Sequence, residues 1–184
     1  MTDGHDIASQ LASIERRIAE VERRFTHDVH VVAVTKGFEA WAIEAAVAAG
    51  CSVIGENYAQ ELAGKRAVIE RSKPEVHFIG RLQTNKVRLV ADLVDVWASI
   101  DRASVVDEVA KRAPSARVRI QVDTTGDPGK GGCPVVEVSS LVARARDRGL
   151  VVDGLMTVGP TDEPAEAARV GFRQVRGLVE DLDL

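Results

Sequence analysis

The sequence predicts an α/β fold whose core is a parallel sheet. Short β-branched apolar runs alternate with longer segments in which apolar residues recur at helical spacing, and six such strand-then-helix units follow one leading helix. Strict alternation favours parallel strands joined by right-handed crossovers. Two architectures fit this pattern, an open doubly wound sheet and an α/β barrel. With 184 residues the chain is short for a complete eight-unit barrel, which typically has about 250 residues.

The composition excludes several classes of protein. Hydrophobic residues make up 45% of the chain and charged residues 28%, and the net charge is -4, which argues against a general nucleic-acid binder. No apolar run has the length of a membrane span, and the N-terminus carries no apolar signal region. Cys51 and Cys133 are far apart and lack metal-ligand spacing. We expect one cytoplasmic domain over residues 1–184, with two unpaired thiols, no metal site and no nucleic-acid or membrane partner.

The leading helix is predicted over residues 6–25. Apolar residues recur there at alternating spacings of four and three, which is the pattern of an amphipathic helix. The stripe consists of Ile7, Leu11, Ile14, Ile18, Val21 and Phe25. We expect it to pack on its own domain; a coiled-coil seam or a partner surface is the alternative.

The six units that follow are delimited by apolar runs and by helix start and stop signals. Strands are predicted at residues 30–35, 52–55, 76–79, 94–99, 118–122 and 151–156. Helices are predicted at residues 39–49, 58–71, 84–91 and 102–112, with a fifth between Pro134 and Gly149 and a sixth that begins near Pro164. We expect Gly50 to end the first of these helices in the left-handed conformation and Asp101 to cap the fourth. The sixth should bury a stripe of Ala168, Phe172, Val175, Val179 and Leu182.

Lys36 closes the first predicted strand and is followed by Gly37. A lysine at the carboxyl end of a buried parallel strand lies where α/β barrels place their chemistry. In a partly dry site its amine would lose solvation, its pKa would fall, and it would become nucleophilic toward an aldehyde. The alternative is a solvated lysine in a loop, since strand ends are commonly polar.

Two further strand ends carry candidate ligand-binding residues. Asn57 follows the second strand, where it is either the cap of the next helix or an amide that reaches a ligand. Met156 ends the sixth strand, where its sulfur either packs on a flat ring or lies in the core. The glycine-rich loop at residues 126–132 is not a Walker A motif, because Thr124 stands where its first glycine belongs and Gly131 follows the lysine. No GxGxxG follows the first strand, so a dinucleotide cofactor is not expected.

Five motifs taken together carry a family resemblance. They are residues 34–36, residues 54–57 with Gln60 and Glu61, residues 77–86, residues 130–131 and residues 154–157. Their order and spacing are similar to those of the YggS/PROSC family of pyridoxal 5′-phosphate (PLP) homeostasis proteins, and the ten residues 77–86 are the most specific part. The resemblance runs from the first helix to about residue 180.

This resemblance implies a (β/α)8 barrel like the N-terminal barrel of alanine racemase, preceded by an extra helix. It implies that Lys36 holds PLP as an internal aldimine and that Asn57 belongs to the cofactor site, with Thr35, Ile79 and Met156 lining the pocket. The implied role is intracellular PLP homeostasis without robust catalysis, so no catalytic residue is assigned. The implied partners are PLP and PLP-dependent apoenzymes, and we expect a monomer or a weak homodimer.

The sequence departs from the family at its end. Family members continue past the last predicted helix, and in barrels of this kind the loops after strands seven and eight build the phosphate site. The family's final segment also supplies the arginine that faces the pyridine nitrogen. We therefore expect an incomplete barrel of six βα units, exposed inner faces at its first and sixth strands, and weaker, slower PLP binding than in a complete member.

Two other functions stay open at this point. One is an amino-acid racemase, whose chemistry needs a second acid/base group on the opposite face of the ring; Tyr58 is the only tyrosine. The other is a degenerate fragment that no longer binds PLP.

Overall fold

The computed structural model describes residues 4–22, 27–127 and 129–184. The strands are β1 (Val32–Val34), β2 (Val53–Glu56), β3 (Glu75–Phe78), β4 (Val96–Ile100), β5 (Arg117–Gln121) and β6 (Val151–Met156). The helices are α1 (Gly4–Glu20), α2 (Trp41–Ala48), α3 (Ala59–Gly64), α4 (Arg66–Ser72), α5 (Thr84–Val90), α6 (Ala103–Arg112), α7 (Val138–Asp147) and α8 (Ala168–Asp181). Single 3-10 turns, Val135–Glu137 and Ala165–Ala167, precede α7 and α8. None of the helices in those ranges combines the length and the apolar content that crossing a bilayer requires.

The strand order decides between the two predicted architectures. The sheet has six strands in the order β1-β2-β3-β4-β5-β6, which is also their order along the chain. Its β1–β2, β4–β5 and β5–β6 pairs are parallel. A doubly wound sheet reverses its winding at a switch point, whereas a barrel adds each new strand on the same side. The sequential order confirms the α/β-barrel topology with six βα units and a leading helix.

The chain divides into two compact units, and the first is Met1–His77. The side chains of Ile43, Ile54 and Leu62 are fully withdrawn from solvent there. Leu11 of α1 packs with Ala46 and Cys51, which confirms that the leading helix packs on its own chain. The rest of its predicted stripe is less buried: Ile14 and Val21 are exposed, Ile7 and Ile18 are half-buried, and Phe25 lies outside the described residues.

The second unit is Phe78–Leu184. Strand β4 is buried along its whole length, and the rings of Phe78 and Trp97 pack at a centroid distance of 6.0 Å. The predicted stripe of α8 is only partly buried. Val175 is the stripe residue that is withdrawn from solvent, while Phe172 is 52% exposed. The expectation of a single domain over residues 1–184 stays a prediction.

The first predicted strand is less buried than its apolar sequence indicates. Val32 and Ala33 are half-buried, and Val34 is 47% exposed. Strand β6, at the other end of the strand order, is likewise half-buried at best, whereas β2 is buried throughout. A strand with one neighbour leaves its flank and inner face uncovered. This reduced burial is consistent with the expected exposure of the two strands, and the prediction of a buried first strand is wrong.

One predicted helix cap and one predicted helix need correction, and one of the two alternatives for Asn57 is excluded. The N-cap of α3 is Tyr58, so Asn57 lies one residue outside the helix. The N-cap of α6 is Arg102, and Asp101 instead accepts a hydrogen bond from that arginine's guanidinium at 2.5 Å. The helix predicted at residues 58–71 is two helices, separated at Lys65, where the backbone has φ −91° and ψ 3°.

Candidate functional site

Lys36 lies just beyond the carboxyl end of β1, with its side chain exposed to solvent. The Thr35 N–H donates to the Gly55 carbonyl at 3.1 Å, so the hydrogen bonding of β1 to β2 continues up to the residue before the lysine. In the parallel register Val34 pairs with Gly55. Lys36 and Asn57 each follow that pair by two residues, so they leave the sheet at the same level on neighbouring strands. This register is consistent with the implication of the family resemblance that both residues belong to one cofactor site.

A tight turn follows the lysine. The Phe38 N–H donates to the Thr35 carbonyl at 3.3 Å, which closes a four-residue turn with Lys36 and Gly37 at its centre. Gly37 has φ +76°, in the left-handed region that side chains with a Cβ rarely adopt. The glycine therefore allows the chain to reverse immediately after Lys36.

Three charged side chains lie directly under this turn. The Lys65 ammonium donates to Glu56 Oε1 at 2.6 Å, to Glu61 Oε1 at 2.6 Å and to the Thr35 carbonyl at 2.9 Å. Lys65 is 4% exposed and Glu56 is fully buried. All three protons of the ammonium thus have acceptors, which is the condition under which a lysine is tolerated inside a protein.

The same carboxylates also hold the chain on both sides of Lys36. The Thr35 hydroxyl donates to Glu56 Oε1 at 2.7 Å, and the Gly37 N–H donates to Glu61 Oε1 at 2.7 Å. The second oxygen of Glu56, Oε2, is buried and has no hydrogen-bond partner in the part of the chain that the structure describes. The cluster of Glu56, Glu61 and Lys65, which we call the acid–lysine cluster, contains two carboxylates and one ammonium.

Lys65 lies at the break between α3 and α4. It is both the last cap of α3 and the first cap of α4, and its N–H still donates to the Glu61 carbonyl at 3.2 Å. A continuous helix would be amphipathic, with charged side chains on its solvent face. The break occurs at the residue whose ammonium turns inward to Glu56.

Ile79 and Met156 belong to the second unit. Ile79 directly follows β3 and is half-buried, and the neighbouring Gly80 carbonyl accepts a hydrogen bond from Ser99 Oγ at 2.6 Å. Met156 is the last residue of β6 and is also half-buried. Both residues therefore lie at carboxyl ends of strands, as the sequence predicts. Their assignment to a cofactor pocket stays a prediction, as do those of Thr35, Asn57 and Lys36.

The glycine-rich loop after β5 is held by side-chain hydrogen bonds. Asp123 accepts hydrogen bonds from the N–H groups of Thr125 and Gly126 at 3.0 and 2.8 Å, and these two bonds, the first above all, lower the pKa of the carboxyl. The Lys130 ammonium donates to the Gly159 carbonyl at 2.8 Å, and this side chain is 13% exposed. Lys130 therefore connects the loop after β5 to the loop after β6. Pro128 lies outside the described residues.

Both thiols are unpaired, as predicted, and both are buried. Burial raises the pKa of Cys133 to about 11 and also raises the pKa of Cys51. Across the described ranges, no three His, Cys, Asp or Glu side chains come together in a way that could hold a metal ion.

The sequence analysis proposed Lys36 as a site residue and did not predict the contacts of Lys65. Glu56 and Glu61 belong to one of the family motifs, but the sequence analysis assigned them no structural role. One signal was available: Glu56 is an acidic residue at the end of a strand that is otherwise apolar, so it needed a cationic partner. Nothing in the local pattern says that the partner is nine residues further along the chain.

The sequence comparisons all point to one group of related proteins. The sequence matches the family described as "Alanine racemase, N-terminal domain" over residues 9–184. It is 33% identical over 187 residues to the pyridoxal phosphate homeostasis protein of Pseudomonas aeruginosa, an alignment that covers 97% of this chain and 81% of that protein. It is 34% identical over 188 residues to the protein of the same name from Haemophilus influenzae, with 96% and 79% covered.

Solved structures give the same family and, more distantly, the same fold. PipY of Synechococcus elongatus PCC7942 with PLP bound has a TM-score of 0.81 and 26% identity, and the match covers 96% of this chain and 81% of PipY. Alanine racemase from Bacillus anthracis has a TM-score of 0.67 at 18% identity, with 97% of this chain and 46% of the racemase covered. The latter likeness shows a shared fold.

Proposed function

Because this chain belongs to the pyridoxal phosphate homeostasis proteins, within the alanine racemase N-terminal domain family, we propose that it binds PLP through Lys36 and serves intracellular PLP homeostasis. The observation that carries the proposal is the placement of Lys36. Its amine is exposed at the carboxyl end of β1, on a turn whose backbone is held on both sides. An accessible lysine on a rigid turn is suited to capture an aldehyde.

The chemistry required of the protein is a condensation. Lys36 would hold the aldehyde carbon through its amine nitrogen, with a C=N bond in place of the C=O bond and one water released. Bound PLP supplies that aldehyde and a ring that accepts electrons. Lys36 therefore serves as the point of attachment, and no oxidant or reductant is involved.

Neighbouring residues would orient the bound ring. Asn57 leaves the sheet beside Lys36, and since Tyr58 takes the N-cap position, its amide is not committed to capping α3. Thr35 would line the pocket beside Lys36, although its hydroxyl already donates a hydrogen bond to Glu56. We further propose that Ile79 and Met156 are pocket-lining residues, since methionine sulfur and aliphatic groups suit a flat aromatic surface.

We propose a carrier or regulatory role rather than catalytic turnover. The curated relatives are named as homeostasis proteins, and PipY has been solved with PLP bound. The enzymes with the same fold are only 18% identical, so their reactions do not transfer to this chain. PLP-dependent apoenzymes in the cytoplasm are the proposed acceptors of the cofactor, and the proposed unit of function is a monomer or weak homodimer with one domain.

The test is a titration of the purified chain with PLP, followed by absorbance. We expect a new visible band that saturates at one PLP per chain, that is absent from Lys36→Ala, and that declines when an apoenzyme is added. Incubation of the loaded protein with amino acids in deuterated water should give no exchange of the α-proton. Exchange that depends on Lys36 would establish an enzyme instead. A band of equal size in Lys36→Ala would refute attachment at this residue.

A further inference from the structure

We propose that Glu61 and Lys65 are positioning residues, which hold the backbone on both sides of Lys36 so that its amine meets a carbonyl ligand in one fixed geometry. This inference rests on the proposed function, since it concerns the same lysine. It assigns a role to a buried ionic cluster that neither the family name nor the condensation chemistry requires.

Two side chains contact the backbone on both sides of Lys36 and also contact each other. Lys36 is joined to the chain by two peptide groups, one with Thr35 and one with Gly37. The carbonyl of the first accepts a hydrogen bond from Lys65 Nζ at 2.9 Å, and the N–H of the second donates to Glu61 Oε1 at 2.7 Å. The two side chains that make these contacts are themselves paired at 2.6 Å. Both peptide groups of Lys36 are thus fixed to one another through a single salt bridge.

A buried carboxylate, Glu56, connects these contacts to the sheet. Lys65 also pairs with Glu56, which is fully buried on β2, and Glu56 in turn accepts the hydroxyl proton of Thr35. An ionic pair in this environment gains strength from the low dielectric, and its geometry is restricted because few alternative partners are within reach. The turn is therefore attached to the sheet through Lys65, and a shift of the turn would break the hydrogen bonds that Thr35 and Gly37 make with this buried cluster.

Positioning is expected to affect the rate of capture. A reacting group held near its attack geometry gains a large effective concentration, and a displacement of about 1 Å can cost a factor of about 100 in rate. A cluster that served stability alone would leave the reaction rate of Lys36 unchanged between variants of equal stability. The distinguishing quantity is therefore the rate at which Lys36 reacts, compared between variants of equal stability.

Glu61 allows geometry to be separated from charge. Glu61→Gln removes the charge but keeps an oxygen at the same reach, so it can still accept from Gly37 and Lys65. Glu61→Asp keeps the charge but shortens the side chain by one C–C bond, about 1.5 Å, so it cannot span the same gap. Glu44→Ala is the matched control, because Glu44 pairs with Arg71 at the surface of the same unit.

The experiment measures the rate of PLP capture at Lys36 by borohydride quenching and peptide mass mapping, together with the thermal midpoint of each variant without PLP. We expect Glu61→Asp to react about tenfold more slowly at Lys36, with a larger share of label on surface lysines such as Lys73 and Lys111. Glu61→Gln should stay within about twofold of the parent chain and Glu44→Ala should match it.

Three outcomes would overturn the inference. Equal rates in the parent chain and Glu61→Asp would show that reach does not matter. Loss of rate in Glu61→Gln with retention in Glu61→Asp would assign the effect to charge. A rate that follows the thermal midpoint through all variants would reduce the cluster to a structural brace. Failure of the parent chain to react at Lys36 is a different result, since it would overturn the proposed function itself.

Discussion

Lys65 Nζ lies 2.6 Å from Glu56 Oε1, and both side chains are withdrawn from solvent. The pair joins the break between α3 and α4 to the carboxyl end of β2, which is the strand next to Lys36. A buried ion pair is costly to form, because both ions lose their hydration, and costly to break, because removal of one partner leaves the other charged and unpaired. The cluster under Lys36 therefore makes the fold of the first unit and the placement of the lysine interdependent.

The first prediction concerns stability. Lys65→Met should lower the free energy of unfolding by about 3–5 kcal/mol, because the fully buried Glu56 loses its counter-ion. Arg71→Met also removes one positive charge but breaks an exposed pair with Glu44, so it should cost less than about 1 kcal/mol. Urea unfolding followed by circular dichroism measures both.

A double variant checks the cause of that loss. Glu56→Gln added to Lys65→Met removes the unpaired charge while keeping an acceptor for the Thr35 hydroxyl. We expect the double variant to be more stable than Lys65→Met alone. If the two losses simply add, the sites are not coupled and the account of a buried pair is wrong.

The second prediction concerns the turn that follows Lys36. Gly37→Ala places a Cβ on a residue with φ +76°, and this should cost about 1–2 kcal/mol of unfolding free energy. No neighbouring heavy atom lies within 4 Å of the new Cβ, so the cost would come from backbone conformation alone. Gly64→Ala, at the end of α3, also meets nothing within 4 Å and should be neutral or slightly stabilising. Equal effects at the two positions would contradict this explanation.

The third prediction concerns thiol reactivity. Burial raises the pKa of Cys133 to about 11, so at pH 8 about one thiol in a thousand is ionised. In a Cys51→Ser background, Ellman's reagent should therefore react at least about 100-fold more slowly with the folded chain than with the chain in urea. Rapid labelling of the folded protein at pH 8 would show that Cys133 is accessible and ionised.

The same shift has a consequence for stability at high pH. The folded thiol holds its proton more tightly than the unfolded thiol does, and this difference adds to the free energy of unfolding. The stabilisation is fully present below the pKa of the unfolded thiol. It is lost as the pH rises through the unfolded value toward the folded pKa of about 11. Cys133→Ala should remove this part of the alkaline loss of stability.

Much of the fold could be predicted from the sequence, because its signals are local. The limits of β6 at Val151 and Met156 agree with the apolar run, and the left-handed Gly50 (φ +103°) lies beyond the end of α2 as expected. Alternation of strands and helices gave the parallel sheet. The choice of barrel over doubly wound sheet came from the resemblance, since strand order is a property of long-range pairing that no single segment encodes.

The errors arose where tertiary contacts override local pattern. Val34 belongs to an apolar run, but its exposure depends on how many strands flank β1. Lys65 lies within a helical pattern, but its side chain turns inward to satisfy Glu56. Asn57 and Asp101 are good capping residues by type, yet the helices begin one residue later, with Tyr58 and Arg102 as N-caps. In each case the deciding partner is distant in sequence or outside the local signal.

In the candidate site, too, local features could be predicted and contacts between distant residues could not. Lys36 and Asn57 could be proposed because strand ends can be located in the sequence, and their common level follows from the parallel register. The contacts that Glu61 and Lys65 make with the backbone beside Lys36 were not found, because one of them joins residues 30 positions apart. Sequence reasoning thus proposed Lys36 as the reactive group and missed the ionic cluster that contacts the backbone beside it.

The central claim is that Lys36 is the residue that captures PLP. The most direct measurement is borohydride reduction of the PLP-treated chain at one equivalent, followed by peptide mass mapping of every lysine. We predict that the pyridoxyl mass is found on the peptide containing Lys36 and is lost in Lys36→Ala. Label distributed over surface lysines, and unchanged in Lys36→Ala, would contradict the account.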